Sequence, residues 1–213
     1  MSVALLGASY IFLAIFMIFA SSSFKNREKE KYDLRNHFCF EILPLKTSND
    51  YILYMVMGFL YLASFLANFI YFTITDFGVM NVFIAFISLL ITFSIGVIFF
   101  LPLSKLKERS IFSIVLIASV ALQNALLIYE ETFLIKAYEN NLVYVSIVIN
   151  ALLLLLAVIA MFSPRLFDFA LEKNEDGTTT RKKIYPLALF EWLLIISAPL
   201  SQLSIVIIEI IKK

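Results

Sequence analysis

The sequence has few charged residues, few glycines and prolines, and no long basic segment. Only 15% of its 213 residues are charged and 62% are hydrophobic, whereas soluble domains have about 25% charged and 45–50% apolar residues. Five glycines and five prolines are too few for a linker-rich or collagen-like chain. The net charge of +1 gives no reason to expect nucleic acid as a partner. These shortages exclude a water-soluble globule and a disordered chain.

The residue types that catalyse reactions or bind metals are also scarce, since there is one histidine and one cysteine. They lie close together as His37 and Cys39, with Glu41 two residues later. A zinc site takes four protein ligands, or three with an open position, and a cysteine nucleophile needs an oriented base. The sequence has neither a Walker loop nor a G-x-G-x-x-G motif. We therefore predict no catalytic, cofactor-binding or metal-binding residue, and no enzyme.

Long apolar runs recur along the chain, each long enough to cross a bilayer as a helix. Lipid offers no hydrogen-bond partner to the backbone, so such runs are helical. They do not alternate in polarity as the strands of a membrane barrel do. The six predicted spans are 3–20, 51–75, 79–102, 111–129, 142–163 and 187–211. The expected fold is all-α: a polytopic bundle of six transmembrane helices within one membrane domain, residues 1–213.

Lysine and arginine are distributed unevenly between the connections. Fourteen of the 17 lie in the first, third and fifth connections, and the other three are Lys136, Lys212 and Lys213. By the positive-inside rule the rich connections are cytoplasmic and both termini are outside. No basic residue precedes the first apolar run, so we expect it to be retained as a helix and not cleaved as a signal peptide. The expected location is a bacterial plasma membrane.

Two charged connections are expected to be cytoplasmic and to contact another membrane or cytoplasmic protein, in addition to the lipid bilayer. The first, residues 21–50, starts with a charged stretch that is expected to extend the first helix to His37. The alternative for this segment is a solvated linker. Four apolar residues follow at helical spacing and predict a helix on the membrane surface: Leu34, Phe38, Ile42 and Leu45.

The second such connection, residues 164–186, follows the fifth span. Ser163 and Pro164 are typical of a helix start. Apolar and charged residues then occupy opposite faces up to Glu172, which predicts a short interfacial amphipathic helix.

Polar side chains inside the spans are few, and several recur at intervals of seven or eleven residues along one helix face. The sixth span is the most informative because Pro199 lies near its middle and removes a backbone hydrogen bond to Ile195. Helix periodicity places Glu191, Gln202 and Glu209 on one face. A broken helix with an adjacent amide is how several transporters form a binding site. The candidate polar site comprises Glu191, Pro199, Gln202, Asn150, Gln123, Asn124 and Asn68.

Two functions fit these patterns. The first is a non-catalytic membrane subunit or assembly factor of a larger complex, because strong charge within the spans is scarce. The alternative is a small transporter or substrate-binding component with its site at the broken sixth helix, reached past Glu130 and Glu131. Polar side chains that recur along one helix face can also serve only as hydrogen bonds between helices, and each such contact stabilises a membrane protein by about 0.6 kcal/mol. The surroundings of Gln202 therefore decide between these hypotheses.

Overall fold

The computed structural model describes residues 1–29, 31–42, 49–75, 78–100, 106–138, 140–163, 166, 172–173, 179–180 and 183–211. Five uninterrupted helices come first: α1 Ser2–Glu28, α2 Asn49–Thr75, α3 Val79–Phe100, α4 Leu106–Tyr138 and α5 Asn141–Met161. The sixth span consists of α6 Pro186–Ser197, a 3₁₀ helix Ala198–Ser201 and α7 Gln202–Ile211. Six helical segments of the described chain are long and apolar enough to cross a bilayer. The predicted fold class is confirmed, and the chain is a multi-pass membrane protein.

The predicted limits agree with the helices except where charged residues prolong them. α1 continues to Glu28, and α4 runs from Leu106 to Tyr138, beyond the predicted 3–20 and 111–129. Lysine, glutamate and leucine are good helix formers, so a helix can continue after its apolar stretch has ended. The expected extension of α1 to His37 is wrong, because Lys29 adopts the left-handed conformation with φ of 62° and ends the helix.

The sixth span is the centre of the bundle. In its most apolar stretch 61% of the residues are buried, compared with 22–44% in the other five spans. It packs against α1, α2, α4 and α5, while the earlier helices pack mainly against their neighbours in sequence. Because successive helices alternate in direction, Met1 and the α2–α3 and α4–α5 connections share one end of the bundle with Ile211. We call this the Met1 end and the opposite one the loop end.

The first connection folds onto the loop end of the bundle. Residues 34–36 form a turn, and a 3₁₀ helix spans Cys39–Ile42. Tyr32 accepts a hydrogen bond from the indole of Trp192 at 2.8 Å, and the backbone N–H of Tyr185 donates to the carbonyl of Arg35 at 2.8 Å. The surface helix predicted through Leu34 and Phe38 is therefore wrong in its described part.

Several described apolar side chains of this connection pack against the bundle. Phe38 and Cys39 are buried, and the Phe38 ring packs on Tyr185. Contact with the ends of the transmembrane helices takes the place of contact with the membrane surface. Leu45, the last residue of the predicted helix, lies outside the described residues.

The connection after the fifth span is described only in part. The predicted amphipathic helix falls mainly on residues 164–165 and 167–171, which lie outside the described residues. Leu166 is buried in a turn. Glu172 belongs to a two-residue strand, Glu172–Lys173 (β1), that pairs antiparallel with Thr179–Thr180 (β2). Glu172 is therefore in a β-hairpin and not in the predicted helix.

Candidate functional site

All seven residues of the predicted polar site are buried, but they do not form one site. They separate into contacts on different sides of the sixth span and of α4. The break in the sixth span determines which side chains of α7 face which helices.

The break at Pro199 is stabilised by α2. Proline has no N–H to donate to the carbonyl of Ile195, four residues earlier. The hydroxyl of Tyr61 donates to this carbonyl at 2.8 Å, and Tyr61 is completely buried. The polar side chains next to the proline have other partners: Ser201 donates to the carbonyl of Ala198, and Gln202 donates to the carbonyl of Phe65.

The 3₁₀ helix also rotates α7 relative to α6. A 3₁₀ helix turns about 120° per residue and an α-helix about 100°, so the four residues Ala198–Ser201 add about 80°. Consequently Glu191, Gln202 and Glu209 do not share one face. Glu191 accepts a hydrogen bond from Ser113 of α4, whereas Glu209 accepts the backbone N–H of Ser2.

Gln202 faces α2, where the structure brings it together with Asn68. The amide nitrogen of Asn68 donates to Oε1 of Gln202 at 3.0 Å and to the carbonyl of Ser2 at 3.3 Å. The amide nitrogen of Gln202 donates to the carbonyl of Phe65 at 3.2 Å. Gln202 and Asn68 are both fully buried. The hydrogen bonds of this amide pair connect α1, α2 and α7, as expected for polar side chains that hold helices together.

The described hydrogen bonds of Gln123 and Asn124 do not involve the break. Gln123 donates to the hydroxyl of Ser88 on α3 at 2.6 Å, and Asn124 donates to the carbonyl of Val120 in its own helix at 2.7 Å. The two neighbours point in different directions because consecutive helical residues are about 100° apart. Gln123 thus links α4 to α3.

The most polar buried group in the described spans is centred on Glu131, which was expected only on the path to the predicted site. Glu131 is 1% exposed and accepts hydrogen bonds from the hydroxyl of Ser146 and from the amide nitrogen of Asn150, the latter at 3.0 and 3.2 Å. The same nitrogen lies 2.7 Å from the hydroxyl of Ser204, and the hydroxyls of Ser204 and Ser146 are 3.0 Å apart. We call Glu131, Ser146, Asn150 and Ser204 the Glu131 cluster.

The Glu131 cluster could have been found only in part from the sequence. Asn150 was a candidate because it is an amide in the middle of an apolar helix. Glu131 follows Glu130 near the end of its helix, so its inward orientation cannot be read from its position. Ser146 and Ser204 resemble the small polar residues that are common in membrane helices.

The three possible metal or nucleophile side chains of the first connection have ordinary structural contacts. The backbone N–H of Asp33 lies 3.1 Å from Nδ1 of His37, and the N–H of Phe38 donates to Glu41 at 2.8 Å. Cys39 is completely buried. Among the described residues, no three histidine, cysteine, aspartate or glutamate side chains group closely enough to hold a metal ion.

Asp33 and Arg35 form an ion pair at the loop end. The guanidinium of Arg35 donates to Asp33 at 2.7 Å and lowers the pKa of that carboxyl group to about 2. The same pair raises the pKa of Arg35. Both side chains therefore stay ionised from about pH 3 upwards. Burial raises the pKa of Tyr32 well above its ordinary value, so its phenol stays neutral.

We predict that Tyr61→Phe destabilises the protein by about 1–3 kcal/mol, because it leaves the Ile195 carbonyl buried without its donor. In a Pro199→Ala background the cost should fall, since an alanine N–H can donate to the same carbonyl. Denaturant unfolding of the four proteins in detergent measures this double-mutant cycle. An equal cost of Tyr61→Phe in both backgrounds would show that the hydroxyl does not compensate for the proline.

Comparison of the chain with protein families, with characterised proteins and with solved structures gave no match. Its function is therefore inferred from its own residues.

Proposed function

We propose that the protein is a non-catalytic membrane subunit or assembly factor that binds an acidic surface of a cytoplasmic protein. The observation that carries this proposal is the folded first connection, which holds a charged surface at the loop end. The contacts of Tyr32 with Trp192 and of Arg35 with Tyr185 anchor the connection. Outward from these anchors lie the side chains that we call the loop-end surface: Lys25, Glu28, Lys29, Lys31, Arg35 and Lys183.

Two features of the loop-end surface support a protein partner. Five of its six side chains are basic, and the ion pair with Asp33 keeps Arg35 in place. A surface that is ordered before binding loses little conformational entropy when a partner binds. In addition, Gln202 and Asn68 are already engaged in interhelical contacts, which weakens the case for a solute site at the break.

Photo-crosslinking in native membranes tests the subunit proposal. A photoreactive residue at Lys31 or Lys183 should give the same protein adduct, whereas one at the exposed Asn141 of the Met1 end should not. Charge reversal by Lys29→Glu with Arg35→Glu should lower the adduct yield severalfold, and Lys29→Arg should preserve it, because attraction to an acidic surface depends on the positive charge. Adducts with lipids alone, or yields unaffected by charge reversal, would contradict the proposal.

We further infer that the loop end faces the cytoplasm and that the membrane is a bacterial plasma membrane. The uneven distribution of lysine and arginine supports this orientation. In a Cys39→Ala background, single cysteines at Thr75 and Asn141 of the Met1 end should react with an impermeant thiol reagent in intact cells. Cysteines at Lys29 and Lys183 should react only after permeabilisation. All four positions are exposed in the structure, and the reverse labelling pattern would invert the orientation.

Transport is a second candidate function, favoured by the Glu131 cluster, since ionisable residues buried within spans commonly mark solute or ion pathways. If the protein transports a cationic solute through the break, the purified chain in liposomes should catalyse uptake, and Gln202→Leu should abolish it without loss of folded protein. If the amide only joins helices, this substitution should cost about 0.6 kcal/mol of stability and leave function unchanged. Liposomes that show no uptake of organic or inorganic cations would argue against transport.

A further inference from the structure

We propose that the Glu131 cluster binds a monovalent metal cation of the size of Na⁺ between α4, α5 and α7. Its side chains come from the three helices: Glu131 from α4, Ser146 and Asn150 from α5, and Ser204 from α7. All four are at most 1% exposed. The inference does not rest on the proposed function, because a subunit as well as a transporter can contain a bound ion.

The buried carboxyl group of Glu131 is the feature that calls for a ligand. Its described hydrogen-bond partners, the hydroxyl of Ser146 and the amide of Asn150, are neutral. A glutamine at position 131 could make interhelical hydrogen bonds without the cost of removing a charge from water. Burying a carboxylate without a positive charge is far more costly than burying an amide. A bound cation removes this cost.

The chemistry of the cluster fits an alkali-metal ion. Five oxygen atoms are available: two from Glu131, the hydroxyls of Ser146 and Ser204, and Oδ1 of Asn150. Hard cations prefer such carboxylate, hydroxyl and amide oxygens. A monovalent ion balances the single carboxylate, whereas a divalent ion would leave a net positive charge in the apolar interior.

Asn150 provides the second observation that indicates a ligand. Its Oδ1 is buried and has no hydrogen-bond partner, while Nδ2 of the same amide faces Glu131 and Ser204. Buried polar atoms without a partner are uncommon in folded proteins. A half-turn of the amide exchanges its two ends, so that Oδ1 lies beside the carboxylate and Nδ2 points away from the cluster. In that orientation the two facing oxygens repel each other unless a cation lies between them, and Oδ1 then has the cation as its partner.

The cluster lies near one end of the bundle. Glu131 is seven residues before Tyr138, where α4 ends, and Ser204 is seven residues before Ile211, where α7 ends. At 1.5 Å per residue each is about 10 Å from its helix end. A cation from the Met1 side therefore has a short distance to travel.

Thermal unfolding of the purified full-length protein in detergent tests this proposal. NaCl is replaced stepwise by choline chloride at constant ionic strength, because choline is too large for the cluster. A ligand that binds only the folded state stabilises it according to its concentration relative to Kd. At ten times Kd, Na⁺ should raise the Tm by about 3–6 °C. Glu131→Gln should remove the dependence on Na⁺.

Glu191→Gln is the matched control, because it neutralises the other buried glutamate, which contacts Ser113 outside the cluster. This variant should keep the full response to Na⁺. Ser204→Ala removes one oxygen ligand and leaves the carboxyl group of Glu131 in place, so it should increase the Na⁺ concentration that gives half-maximal stabilisation. This variant tests the proposal even if Glu131→Gln does not fold. Equal Tm values in Na⁺ and choline for the unaltered protein would overturn the proposal, as would an unchanged response in Glu131→Gln. A Tm that varies with pH but not with Na⁺ would show that the Glu131 cluster binds a proton and not a metal cation, and it would also overturn the proposal.

Discussion

The hydrogen bond from Tyr61 to the carbonyl of Ile195 allows the central helix of this bundle to be broken. In a bilayer every backbone polar group needs a partner within the protein, and Pro199 takes one away. Because α2 supplies the missing donor, α6 and α7 can continue through the membrane with a 3₁₀ helix between them. The change in direction of the α7 side chains follows from that short helix. Gln202 consequently faces α2, and Ser204 lies in contact with α5.

The spans could be predicted almost completely from the sequence, and the polar contacts could not. Hydropathy and length determine where a helix crosses lipid, and these are local properties. The partner of a polar side chain depends on helix rotation, which the 3₁₀ helix changes by about 80°. A strictly α-helical projection therefore groups Glu191 with Gln202, whereas the structure directs Glu191 to Ser113 of α4. Asn68 and Gln202 could both be predicted as members of a polar site, because each is an amide within an apolar helix.

The first connection illustrates a different limit of sequence reasoning. Its apolar residues at helical spacing predict a surface helix, yet Phe38 is buried against Tyr185 and the chain turns at residues 34–36. Periodicity shows that one face is apolar, but it does not show whether lipid or protein covers it. Here the ends of α1 and α6 offer aromatic partners, including Phe24 and Trp192 around Tyr32. Contact with these rings outweighs helix formation on the membrane surface.

The central position of the sixth span has a consequence for biosynthesis. Synthesis proceeds from the N-terminus onward, so the sixth span enters the membrane after the five earlier ones and carries the partners of groups on those helices. Until it arrives, Tyr61 and Asn68 lack the contacts that they make with Ile195 and Gln202, and the Glu131 cluster lacks Ser204. Insertion of the sixth span therefore gives these polar side chains the partners that they have in the folded protein.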